Sequence, residues 1–205
     1  MSAVLAVEVK QLMSMLGSPS ELDLRPLPTT AVELLRRLSA PPRLVAHLTL
    51  VHDVAARLAE DLLGYWPNLP FDPELVRFGA ASHDIGKVLH PAELSGPGHQ
   101  HESDGPALLA RLGVDPRLAR FAETHAKWQS EVELEDLLVA LADTCWKGKR
   151  EQELEEAIAA RITEVVGGDP WEVFIRLDDL IEQLAAAAPI RLAWQAQFPS
   201  GTGDT

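Results

Sequence analysis

Between Ala80 and Lys87 the chain reads AASHDIGK: a histidine beside an aspartate, a glycine two residues on, and a lysine three residues after the aspartate. His83 and Asp84 offer an imidazole nitrogen and a carboxylate oxygen to a divalent metal ion, and Lys87 is a compact cation of the kind that meets phosphate. The doublet alone is weak, because a second His-Asp pair stands at His52-Asp53. The helices that carry the two pairs must separate them.

Helical periodicity runs along the whole chain, and no stretch alternates with the period of a strand. Val4 to Met15 reads as a short amphipathic helix, followed by a Pro-containing loop to Thr29 and a second helix to about Leu38. Pro41-Pro42 opens a long helix that runs until Gly64, with an apolar stripe of Leu44, Leu48, Val51, Ala55, Leu58 and Leu62. His47 lies on that stripe. His52 and Asp53 group instead with Thr49, Arg57, Glu60 and Asp61, which reads as a solvated face.

Asp72-Pro73, Asp115-Pro116 and Asp169-Pro170 each set an N-cap acceptor before a proline at the first helical position, so they mark three helix starts. The first helix carries Val76, Gly79, Ala80 and His83 at helical spacing, and Gly86 is expected to give the sharp turn that brings Lys87 inward. Pro106 suits only a first turn, which puts His101 at a helix entrance on the face of Gly105, Leu108 and Leu112. Leu118, Phe121, Ala122 and His125 share one face of the next helix. The following one begins acidic (Glu131, Glu133, Glu135, Asp136), is apolar from Leu137 to Ala142, and then delivers Asp143. A carboxylate in such company needs a partner, because burying a bare charge is costly.

Singly, each of these residues has an ordinary explanation as a hydrogen-bonded core histidine, a cap or an ion pair. Together, His47, His83, Asp84, His101, His125 and Asp143 come from five helical segments and point inward, an arrangement that a shared cation would stabilise. Imidazole and carboxylate donors without thiolate suit Mn²⁺, Fe²⁺, Co²⁺, Ni²⁺ or Zn²⁺, and no CxxC suggests a structural zinc site.

The order His, His-Asp, His, His, Asp on consecutive helices resembles the HD-domain superfamily of metal-dependent phosphohydrolases, over roughly residues 41 to 150. The resemblance implies a metal site of His47, His83, Asp84 and Asp143, with His101 and His125 holding a second ion bridged by Asp84. It also implies catalytic roles for Asp84 and Lys87. His99 is an alternative to His101 but lacks a glycine four residues on, and His90 reads as a surface residue. The Gly-Tyr-Pro triplet and paired histidines usual in members that cleave cyclic dinucleotides are absent, since Ala126 follows His125.

Lys87, Lys127, Lys147, Lys149 and Arg150 follow the motifs closely, and Arg43 precedes His47 by one turn, so a phosphate pocket is expected. Lys147, Lys149 and Arg150 equally suit a helix C-terminus, and Trp128 and Trp146 suit packing or base stacking. A formal charge of -13 opposes a long nucleic-acid partner but not a small phosphorylated one such as a nucleotide. One cysteine, no membrane-length apolar run and no basic leader pattern give the expectation of a soluble cytoplasmic protein, with a homo-oligomer left open.

The expected architecture is an all-α, single-domain helical bundle of the HD type. Packing helices occupy residues 1–40, the metal-binding core 41–150, further packing helices 151–198, read as two, from Glu151 to Val165 and from Pro170 to Ala187, and a disordered tail 199–205. The expected activity is hydrolysis of a small phosphate ester or anhydride by metal-activated water. The competing expectation is a non-catalytic regulatory domain that binds a nucleotide or metal.

Overall fold

The computed structural model describes residues 22–129 and 131–199, so the helix expected over Val4–Met15 and the tail beyond Pro199 lie outside the described residues. The described chain is all helical. α1 spans Thr29–Arg37, α2 Pro42–Tyr65, α3 Pro73–Ala80, α4 Gln100–Arg111, α5 Pro116–Ala119, α6 Phe121–Thr124 and α7 Leu134–Cys145. α8 (Gln152–Val166), α9 (Pro170–Ala185) and α10 (Ala188–Gln195) complete it, and two 3₁₀ turns, Ile85–Val88 and Pro91–Leu94, link α3 to α4.

α2 is the axis of the molecule. Pro42 fits its first turn, where no N–H is required, and 24 residues at 1.5 Å rise make it about 36 Å long. The apolar stripe from Leu44 to Leu62 is fully buried, and α3, α7, α9 and α10 all pack on it. The three Asp-Pro starts are real caps. Asp72 accepts from the N–H groups of Glu74 and Leu75, Asp115 from Arg117, and Asp169 from Trp171. α7 is capped reciprocally by Glu133 and Asp136, and Arg120 pairs with buried Asp136.

Several expectations need correction. The second face of α2 is solvated only towards its C-terminal end, where Glu60 and Asp61 are exposed: His52 and Asp53 are each 2 % exposed and Thr49 is fully buried. Residues 22–28 lie across that face. The Arg25 N–H donates to Asp53 Oδ1 at 3.1 Å and Arg57 Nε donates to Oδ2 at 2.9 Å, so the acidic and basic side chains satisfy one another under cover.

Pro106 is the seventh residue of α4, not a first-turn residue. The helix starts at Gln100 because the carboxylate of Glu93 accepts from the N–H groups of Gln100 and His101, which outweighs the bond that Pro106 withholds. Gly86 serves a close approach, and its φ is not positive. A Cβ there would lie 2.9 Å from the carbonyl carbon of His101, with the carbonyl oxygen nearer still. Beyond Asp143, three helices pack where two were expected, because Pro189 opens a separate α10.

Candidate metal centre

His47 projects from α2, His83 and Asp84 from the turn after α3, His101 from the first turn of α4, His125 from the end of α6, and Asp143 from the last turn of α7. All six meet. Asp84 is at the middle: its Oδ2 lies 3.0 Å from His47 Nε2 and 3.6 Å from His83 Nε2. Its Oδ1 lies 3.0 Å from His101 Nε2 and 3.6 Å from His125 Nε2. Each oxygen of one carboxylate therefore faces its own pair of imidazoles. Asp143 Oδ1 closes the first group, 3.5 Å from His47 Nε2 and 3.6 Å from His83 Nε2.

Hydrogen bonds on the far side of three rings fix how they present themselves. His83 Nδ1 is 2.9 Å from the carbonyl oxygen of Ala80, and His125 Nδ1 is 2.9 Å from that of Phe121. His101 Nδ1 is 2.5 Å from Glu93 Oε2. An oxygen acceptor without a proton requires Nδ1–H as donor, which leaves the lone pair of Nε2 aimed at the cluster. His47 is seated by an edge contact with the ring of Trp146, centroids 5.2 Å apart, and Trp146 Nε1 donates to Asp143 Oδ1 at 3.3 Å.

The electrostatics show the cost of assembling these groups without a cation. Burial is the largest influence on the Asp84 carboxyl and opposes its ionisation, yet His83, His101 and His47 together hold it well below the usual carboxylate range. Asp143 is likewise held low by His83, His47 and Lys147 against the effect of burial. Burial also opposes protonation of His83 and His101, but Asp84 and other acceptors outweigh it and raise both. His125 is pushed down to about 4, first by burial and then by the neighbouring His83, and burial lowers His47 despite Asp84. Two imidazole nitrogens, those of His47 and His83, face one another at 3.3 Å. A donor set of nitrogens and carboxylate oxygens converging in this way suits a divalent ion, and two groups could each hold one: His47, His83 and Asp84, and Asp84, His101 and His125.

Access is from one side. The four histidines and Asp84 are almost wholly enclosed, whereas the side chain of Asp143 is 24 % exposed and that of Lys147 37 %. Lys147 Nζ lies 3.5 Å from Asp143 Oδ2, and Lys87 Nζ pairs with Asp84 Oδ2.

The other expected cations are engaged elsewhere. Arg43 sits on the carbonyls of Phe198 and Pro199, Lys149 pairs with Glu151, and Lys127 with Glu123. Arg150 ties Glu155 at the start of α8 to Asp178 of α9, an interhelical role. Of the competing histidines, His99 is 89 % exposed beside Glu102, and His90 pairs with Asp104. Glu93, which holds His101, had no sequence signal because it lies in a four-residue 3₁₀ turn, too short for spacing to tie it to a helix face.

The family comparison agrees with the all-helical fold. Residues 31–146, more than half of the chain, match the HD domain, and the protein belongs to that family. HD domains bind divalent metals and most are metal-dependent hydrolases. No curated protein and no solved structure matches the chain. Among the described residues, no helix is long and apolar enough to cross a membrane.

Proposed function

We propose that this HD domain is a phosphohydrolase that cleaves a phosphomonoester, phosphodiester or phosphoanhydride in a small substrate of the nucleotide class. The observation that carries the reading is Asp84, with one oxygen toward His47 and His83 and the other toward His101 and His125. His47, His83, Asp84 and Asp143 would hold one divalent ion, and His101, His125 and Asp84 a second. Bound ions of this kind supply Lewis-acid charge to a phosphoryl oxygen and bring the pKa of water towards neutrality.

The chain's own residues supply the remainder. Glu93, Ala80 and Phe121 hold the Nδ1 side of three imidazoles so that Nε2 is directed inward. Enclosure of the cluster keeps bulk water out, which strengthens each electrostatic contact there. Lys87, beside Asp84, is placed to meet the charge that grows on the phosphoryl group, and Lys147 at the open rim is placed to receive the incoming phosphate. The excess negative charge of the chain favours a small substrate over a long polyanion.

The test is a screen of nucleotides and other phosphate esters with Mn²⁺, Fe²⁺, Co²⁺, Ni²⁺ and Zn²⁺, using protein purified without chelator. Phosphate release that disappears in Asp84→Ala supports the reading. Metal binding without turnover on any substrate class would favour a regulatory domain instead.

A further inference from the structure

We propose that a cavity between residues 22–25, α2 and the α9–α10 corner is a second ligand site, which takes a small oxyanion on Arg191 with Arg57 beside it. The cavity measures about 430 Å³ and is lined by Leu22, Arg25, Asp53, Arg57, Leu184 and Arg191 among others, a size suited to a small organic ligand. None of the residues of the His/Asp cluster lines it.

Arg191 is the one buried arginine among the described residues, at 3 % exposure. Its Nη1 donates to the carbonyl oxygen of Leu184 at 2.5 Å, its Nε has no hydrogen-bond partner, and no carboxylate among the described residues pairs with it. Other arginines of the region differ. Arg25 and Arg57 share Asp53, and Arg25 also pairs with Glu60. Asp53, the buried carboxylate of this cavity, is thus already committed, while Asp23 and Asp61 are exposed.

A guanidinium taken out of water without a counter-ion is strongly unfavourable, and burial accordingly pulls the Arg191 pKa down. A planar fork of donors in a polar cavity is matched by a phosphoryl or carboxylate group, which would supply the missing charge. Arg57 stands ten residues after His47 on α2, about 15 Å along the helix axis, so occupancy here bears on the helix that carries the first candidate metal ligand.

The experiment is thermal unfolding of the full chain titrated with sodium phosphate or sodium acetate at constant ionic strength, for wild type, Arg191→Met and Asp84→Ala. At ten times its dissociation constant the anion raises the wild-type Tm by about 4 °C. Arg191→Met loses that response, and without anion it is as stable as wild type or more so, because an unpaired buried charge has been removed. Asp84→Ala keeps the response. A shift with phosphate alone identifies a phosphoryl ligand, and a shift with acetate alone a carboxylate.

No shift with either anion, or an equal shift in Arg191→Met, overturns the proposal. Loss of the response in Asp84→Ala also overturns it, by assigning the anion to the His/Asp cluster. Equilibrium dialysis of the responding anion against Asp84→Ala provides a measure independent of how Arg191→Met folds. One bound anion per chain is expected, and none would sink the idea.

Discussion

At the scale of single residues, Glu93 decides how well His101 can serve as a ligand. Its carboxylate takes the Nδ1 proton of His101 and two backbone N–H groups of α4, so ring and helix start are fixed by one side chain. Glu93→Gln keeps the shape and a carbonyl oxygen for one of the two positions, since Oε1 takes the Gln100 N–H and Oε2 the His101 N–H and Nδ1, and it removes the charge that holds the imidazole. Metal affinity is expected to fall by roughly 10- to 100-fold with helix content unchanged. Titration with Mn²⁺ followed by calorimetry measures it, and an unchanged affinity would show that Glu93 merely caps α4. His47, His83, Asp84, His101, His125 and Asp143 were legible because each stands on or at the end of an apolar stripe, where a polar ligand is conspicuous. Glu93 was not, and neither was the Arg25–Asp53–Arg57 group. Asp53 and Arg57 do share a helical period, but Glu93 lies eight residues from His101 across a turn and Arg25 28 residues from Asp53, so no helix period links either to its partner.

At the scale of elements, the close approach of α4 to the turn after α3 brings the two imidazole pairs onto one carboxylate. Gly86 permits it. A methyl there would meet the His101 carbonyl, which belongs to a helix and cannot swing aside as a side chain does. Gly86→Ala should therefore cost about 1–3 kcal/mol of stability and also weaken metal binding, because His101 is displaced from Asp84. Urea denaturation with and without Mn²⁺ would show both effects. A variant of wild-type stability and affinity would mean that α4 is not held by this contact. The sequence showed that a glycine stood here but suggested a turn, since clearance against a distant backbone has no sequence signal. Helix starts were far more legible. The Asp-Pro caps act within three residues, so the local sequence contains the whole interaction.

For the molecule as a whole, the face of α2 opposite the cluster makes stability depend on pH. His52 is buried with no partner for Nδ1, facing Asp53, Arg25 and Arg77 with Glu60 and Glu74 around the same small cavity. Burial, reinforced by Arg77 and Arg25, pushes its pKa from 6.5 down to about 4. The folded pKa lies below the unfolded one, so the unfolded chain binds the extra proton. The contribution is complete above pH 6.5 and is lost as pH falls towards 4. Its ceiling is about 3 kcal/mol. His52→Gln should lose less stability than wild type across that window when urea unfolding is compared near neutral pH and at its acid end. Parallel losses in the two proteins would contradict a neutral buried His52. Helical amphipathicity misplaced Thr49, His52 and Asp53 in water because residues 22–28, which lie across that part of the face, carry no periodic signal of their own.

The candidate metal centre depends on one carboxylate shared by two sets of imidazoles, and metal stoichiometry tests that most directly. Protein purified without chelator is analysed for bound metal in wild type, in His101→Ala/His125→Ala and in Asp84→Ala. The arrangement predicts about two ions per chain in wild type, about one in the double histidine variant and close to none in Asp84→Ala, all three remaining folded. A wild-type ratio near one that the double variant leaves unchanged would remove His101 and His125 from the metal site. No bound metal in wild type, even after reloading with Mn²⁺, would contradict the metal-centre reading altogether.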